Sequence, residues 1–239
     1  MLNVRLADFN ICIENKYEYT EKLCNSYLHS GSPDLTVKVT EDDISREQSG
    51  QVTDRGYLES LAVYRRIAEW LPLHDAFLMH CVAVDVDGVG VTFLAKSGVG
   101  KTTHMTNWRR LLGDRLTVVN GDKPLIRKTD DGFYAYGTPW SGKEELNTNT
   151  KTPLKKLCFI ERAEENECVR LEGDLLQRLL VQTYRPSDVQ ALFKTLDLLG
   201  ELVKNAEFYL IKCNKEPISA KVAFETVFKN NNNQEGANQ

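Results

Sequence analysis

The stretch His80-Cys-Val-Ala-Val-Asp-Val-Asp-Gly-Val-Gly-Val-Thr-Phe-Leu-Ala-Lys-Ser-Gly-Val-Gly-Lys-Thr102 decides how this chain is read. Val82, Val84 and Val86 alternate with Ala83, Asp85 and Asp87, which is the period of a strand. Asp87-Gly88 favours the positive φ angles of a tight hairpin turn, and Val89, Val91 and Phe93 form the return arm. The run Ala95-Lys-Ser-Gly-Val-Gly-Lys-Thr102 then follows the phosphate-loop pattern G-x-x-x-x-G-K-[ST], with Ala95 in place of the first glycine. The spacing predicts an entry strand over 91–94. It also predicts an exit helix from Lys101 that carries Met105, Trp108, Leu111 and Leu112 on one face and ends at Gly113.

Each residue type in that loop has a chemical reason. Gly98 and Gly100 let the backbone curl so that the N–H groups of Ser97, Gly98, Val99, Gly100, Lys101, Thr102 and Thr103 can face an anion. The helix N-terminus adds partial positive charge. Lys101 is expected to reach the outer phosphates of a nucleoside triphosphate, and the Thr102 hydroxyl to ligate Mg²⁺. Ala95 fits if its φ is negative. Downstream, Asp122 follows an apolar run over 116–119. A carboxylate at that strand end can hold Mg²⁺ with Thr102, or take the proton of an attacking hydroxyl.

Outward from the loop, residues 1–55 read as a small strand–helix–strand unit with a charged connector over 41–55, and 56–229 as the nucleotide domain. The first unit has strands near 4–13 and 35–39 around a helix over 17–28. The second opens with a helix over 57–71, stopped by Pro72. A further hairpin turns at Asp130-Asp131-Gly132, strands are expected over 157–161, 168–171 and 208–211, and helices fill much of the C-terminal part. Asp174 with Gln177, and Ser187 with Gln190, look like capping boxes. Residues 230–239 are Asn/Gln-rich and nearly free of apolar side chains, so a disordered tail is expected.

The hairpin leading into the loop is unlike the crossover connection of the common parallel nucleotide fold. Together with His80 it resembles the catalytic domain of HPr kinase/phosphorylase, and more distantly the nucleotide site of phosphoenolpyruvate carboxykinase. Tyr136-Gly-Thr-Pro-Trp-Ser-Gly-Lys143 is similar to a motif of small HPr-kinase-related proteins. The resemblance implies an α/β fold with a mixed-sheet phosphate-loop core, C-terminal helices and a small N-terminal β-α-β unit. It also implies an ATP- and Mg²⁺-dependent transfer of phosphate to a hydroxyl, with a serine of a peptide or protein as acceptor. Asp122, His80 and Lys101 would be catalytic, and Ser97 to Thr103 would bind the nucleotide. In the family an Asp-Asp pair stands where this chain has Gly121-Asp122, and the first acid is the one linked to base work on the serine. A counterpart of the family's carboxyl-terminal signature is missing, so neither the reverse reaction nor HPr as substrate is expected.

Two other classes stay open: a nucleotide-binding regulator that has lost transfer chemistry, and a small-molecule kinase or carboxykinase-like enzyme. Guanine recognition by Asn-Lys-x-Asp is not expected, because Asn120-Gly-Asp-Lys123 has the wrong order and Asn214-Lys-Glu lacks the acid. His104, Lys143, Arg162 and Arg185 are further candidates for phosphate contact, and Trp140 for shaping an acceptor pocket. A net charge of −4 gives no reason to expect a nucleic-acid or membrane partner. The six cysteines are scattered without metal-ligand spacing, as in a cytoplasmic protein with reduced, buried thiols. The resemblance leaves assembly into a homo-oligomer open.

Overall fold

The computed structural model describes residues 1–50 and 52–229. The N-terminal unit is a three-stranded sheet in the order β1 (Leu2–Leu6), β2 (Phe9–Glu14), β3 (Leu35–Lys38). The single first strand expected from the sequence is a hairpin, because Ala7 and Asp8 turn the chain at φ angles of 49° and 62°. Helix α1 (Glu18–Leu23) crosses between the parallel strands β2 and β3. It is shorter than the spacing predicted, giving way at Cys24 to a 3-10 turn at Asn25–Tyr27. The supposed connector also folds: α2 (Glu41–Arg46) is nucleated by a capping box, in which Thr40 and Asp43 satisfy each other's backbone N–H groups.

Helix α3 (Arg55–Trp70) opens the second part and joins it to the first. Its Glu59 is fully buried. The carboxylate accepts hydrogen bonds from the N–H of Lys16 at 2.6 Å, the N–H of Tyr17 at 3.1 Å and the Thr20 hydroxyl at 3.1 Å. Hydrogen bonds to a charged acceptor contribute about 1.5–3 kcal/mol each, so this contact anchors the start of α1. One apolar cluster runs from Val4, Ile11 and Val37 through Leu58 and Ile67 to Leu125 and Trp140. The two parts therefore share a core.

The main sheet runs β4 (Ala76–Leu78), β8 (Leu125–Thr129), β9 (Gly132–Tyr136), β10 (Lys151–Arg162), β6 (Val89–Leu94), β5 (Val82–Val86), β7 (Leu116–Asn120), with β12 (Glu207–Cys213) beside β10 and β11 (Glu167–Arg170) outside it. This is a mixed sheet. The hairpin β5–β6 is antiparallel and turns at Asp87 and Gly88, both at positive φ. Strands β6, β10 and β12 are parallel neighbours. Strand β10 is longer than its apolar run suggested. Its first residues pair antiparallel with β9 and the rest lies between β6 and β12, so one strand belongs to both kinds of pairing.

Helices cover both faces. On one, α4 (Lys101–Leu112) and α7 (Ile218–Phe228) bury Met105, Trp108, Ala223 and Val227 against Val84, Val91 and Ile211. On the other, α5 (Leu175–Gln182) and α6 (Val189–Asn205) bury Leu179, Leu198 and Leu202 against Leu94, Leu157 and Phe159. The two expected capping boxes are not formed. Asp174 has a left-handed backbone and no side-chain cap, while α6 is capped by Asp188, which accepts from Ala191 N–H at 2.8 Å. Ser187 bonds Glu69 instead. All six cysteines are buried free thiols. No helix among the described residues is long and apolar enough to cross a membrane. The tail expected over 230–239 lies outside the described residues.

Candidate functional site

Strand β6 ends at Leu94, the chain loops through 95–100, and α4 begins at Lys101. Gly98 and Gly100 have φ angles of 77° and 128°. No atom stands within 4 Å of where their Cβ atoms would be, so conformation, not space, requires glycine there. Ala95 has no positive φ and is buried, which explains why alanine serves at the first position. The backbone N–H groups of Ser97, Gly98, Gly100, Lys101, Thr102 and Thr103 donate to no protein acceptor among the described residues, whereas Val99 N–H bonds Lys96 O. Arg162 holds the loop from outside. Its Nε donates to Val99 O at 3.0 Å, and its guanidinium also donates to Gly98 O.

Lys101 is 8% exposed. Its Nζ lies 3.0 Å from Ala95 O and 3.2 Å from His80 Nε2, and burial lowers its pKa. His80 sits between β4 and β5, and its N–H is tied to Gln182 O at 2.7 Å. The same Nε2 lies 3.1 Å from Asp122 Oδ1. Asp122 Oδ2 is 2.9 Å from Lys123 Nζ. Burial alone would raise the Asp122 pKa. The His80 hydrogen bond and the Lys123 charge outweigh it and hold the carboxyl well below the usual carboxylate range.

Asn120 makes the turn that presents this carboxylate. It is fully buried, and its Oδ1 accepts from the N–H groups of Asp122 at 2.9 Å and Lys123 at 2.7 Å. Its amide donates to Thr138 O and Thr138 Oγ1, both at 3.0 Å. The neighbouring Gly121 leaves no space: a Cβ there would stand 2.9 Å from Ser141 O and 3.2 Å from Leu146 O.

These groups line one side of a cleft of about 900 Å³. The lining also includes a wall of Tyr19 and Leu23 of the N-terminal unit and Tyr57 and Leu61 of α3. Of the expected residues, His80, Ser97, Gly98, Gly100, Lys101, Thr102, Thr103 and Asp122 meet in this cleft. Val99 does not line it and faces the outer side of the loop, in two smaller grooves. Lys143 is exposed on the cleft, beside Glu144 and Glu145. Trp140 also lines the cleft; it is largely buried, stacked on Tyr64 at 4.0 Å with its Nε1 donating to Ser60 O at 3.1 Å, so its ring is a fixed part of the wall.

His104 points into the core, where its Nε2 accepts from Trp108 Nε1 at 3.0 Å and burial lowers its pKa to about 4. Arg185 is exposed and lines none of the three hollows around the loop. Sequence reasoning missed Asn120, Lys123 and the Tyr19–Tyr57 wall. An Asn at i with turn-forming Gly after it was the available signal for the first. The wall is made by distant parts of the chain and has no local signal.

No protein-family model matches the sequence, and no curated protein matches it. Among solved structures, the chain is similar to the Hpr(Ser) kinase/phosphatase from Coxiella burnetii, at 11% identity and a TM-score of 0.39, covering 66% of this chain and 92% of that one. The resemblance is distant. The geometry of the cleft is what bears on function.

Proposed function

We propose that the protein is an ATP-dependent phosphotransferase that moves the γ-phosphate to a hydroxyl, with a serine of a peptide or protein as acceptor. One observation carries this reading: a row of unengaged backbone N–H groups, with Lys101 behind it, opens onto the same cleft as the ionised Asp122. Donors fixed in advance favour a polyphosphate and cost no rearrangement when charge shifts during transfer. Mg²⁺, when bound, would neutralise phosphate charge. Thr102 and Asp122 are the side chains to hold it. No cluster of three or more His, Cys, Asp or Glu side chains stands ready for a metal among the described residues. That fits an ion carried chiefly by phosphate oxygens and water with one or two protein ligands.

The chain's own residues then divide the work. Lys101, released from Ala95 O, follows the charge of the transferring group. Asp122 accepts a hydrogen bond from the attacking hydroxyl and takes its proton as the new oxygen–phosphorus bond forms and the bond between the γ-phosphorus and the bridging oxygen breaks, so that ADP leaves with that oxygen. His80 and Lys123 keep the carboxylate aligned and ionised before that moment. The Tyr19, Leu23, Tyr57 and Leu61 wall supports an acceptor with an apolar or extended flank next to its hydroxyl.

A second reading has its own observation. Gly121 stands where a second acid would be needed for a carboxylate pair, and the backbone around it excludes one. A nucleotide-binding regulator without transfer chemistry is consistent with that. Incubation with γ-labelled ATP, Mg²⁺ and a panel of seryl peptides and small alcohols separates the two. Label on an acceptor, lost in Asp122→Asn, supports transfer. ATP binding with no transfer and no turnover in the wild type would sink it in favour of the regulator.

A further inference from the structure

The cleft accounts for one side of the loop; a second groove accounts for the other. It measures about 430 Å³ and is lined by Val99, Ile160, Arg162, Ala163 and the Cys213–Lys215 turn, with His104 in its floor. Gly98, Gly100 and Thr103 line both this groove and the main cleft. The two hollows therefore meet across the free N–H groups that open α4.

The topology gives the groove a meaning. Strands β6, β10 and β12 are adjacent and parallel, and their C-terminal ends are the loop, the residues around Arg162 and the residues after Cys213. Ligands of open α/β sheets sit beyond the carboxyl ends of such strands. Asp122 follows β7, on the opposite side of β6 from β10 and β12. A polyphosphate lying over residues 98–103 with its reacting end toward Asp122 must lead its other end toward β10 and β12.

The chemistry of the lining agrees. Val99, Ile160 and Ala163 are apolar, and the exposed Arg162 guanidinium, tethered to Gly98 O and Val99 O, is flat and cationic. An aromatic base can lie against such a plane. The turn is rigid: Asn214 Nδ2 donates to Glu164 O at 2.9 Å, Asn214 Oδ1 accepts from Glu216 N–H at 3.0 Å, and Ala163 N–H bonds Cys213 O at 3.0 Å.

Resting on the phosphotransferase reading, we infer that the groove between Arg162–Ala163 and Cys213–Lys215 receives the base and ribose of the nucleotide, leaving the whole main cleft beyond the loop to the acceptor. The test compares ATP with inorganic tripolyphosphate, which needs the loop and nothing else. Half-buried Ala163 is replaced by Trp to fill the groove. The expected result is an ATP Kd raised at least tenfold with tripolyphosphate binding within twofold of wild type. Unchanged ATP affinity overturns the placement. Should the Trp variant misfold, 8-azido-ATP on the wild type reads the same question. Label on the peptides holding Ala163 or Asn214 supports the groove, and label on Tyr19 or Tyr57 overturns it. A wild type that binds tripolyphosphate but labels the wrong wall loses this placement alone, whereas one that binds neither probe loses the phosphotransferase reading as well.

Discussion

His80 Nε2 stands 3.1 Å from Asp122 Oδ1 and 3.2 Å from Lys101 Nζ, so one ring nitrogen faces an acid and a base at once. Carrying a proton, it donates to Asp122; bare, it accepts from Lys101. It cannot do both. His80 thus links the orientation of the carboxylate to the position of the loop lysine.

Replacing His80 with Ala is expected to lower kcat about 10- to 100-fold while leaving the ATP Kd within a few-fold, since the imidazole aligns Asp122 and touches no loop N–H. Steady-state transfer assays beside calorimetric titration make the comparison. A collapse of ATP affinity with kcat intact would contradict this division of labour.

Asp122→Asn keeps the shape of the side chain and removes its charge. Transfer should fall by about 10²-fold or more, the usual worth of a positioned acid or base, with the fold unchanged by circular dichroism. Lys101→Ala should instead weaken binding of ATP and of tripolyphosphate together, about tenfold or more, because it removes the ammonium group that lines the cleft beside the loop N–H groups.

Putting an acid back at Gly121 should not help. In Gly121→Asp the new Cβ meets the carbonyls of Ser141 and Leu146. We expect a loss of about 1–3 kcal/mol, seen as a melting temperature several degrees lower, and no gain in transfer rate. A faster enzyme with an unchanged melting point would show that the backbone there yields easily.

Acid sensitivity should separate into two windows. His104 is held neutral by burial, with a folded pKa of about 4 against 6.5 when free. Between those values the unfolded chain binds more protons, so stability falls as pH drops through 6.5 toward 4. His104→Gln, which can still accept from Trp108, should flatten that slope in thermal melts. Asp43 is buried against Arg65 and Arg66. Burial would raise its pKa, but the Thr40 N–H and the two guanidinium groups hold it below the free value of 3.8. A depressed carboxyl stabilises above its unfolded pKa and loses that as pH falls through the folded one. Asp43→Asn should cost about 2 kcal/mol at neutral pH, with the gap to wild type closing below about pH 3.8.

The strand–loop–helix at the centre was legible because its signals are local. Asp87-Gly88 specifies its own turn, and the loop glycines need their own φ angles. His80 and Asp122 were found through the resemblance and the strand end, and they do meet. What could not be read were contacts across long separations. Glu59 reaching Lys16 and Tyr17, and Arg162 reaching Gly98, have no periodicity to betray them. Helix α2 was missed for a different reason. Its charged surface resembles a linker, and its signature is a Thr–Asp pair that a search for Ser/Thr with Glu/Gln passes over.

Arg162 has a thermodynamic consequence. By occupying Gly98 O and Val99 O it keeps the loop bent without help from any guest. A backbone already in shape has little configurational freedom to surrender when an anion settles on it, so association should be governed by diffusive encounter and electrostatic attraction, with no slow annealing step. Arg162→Ala would return that entropy to the free loop, and the on-rate would carry the loss.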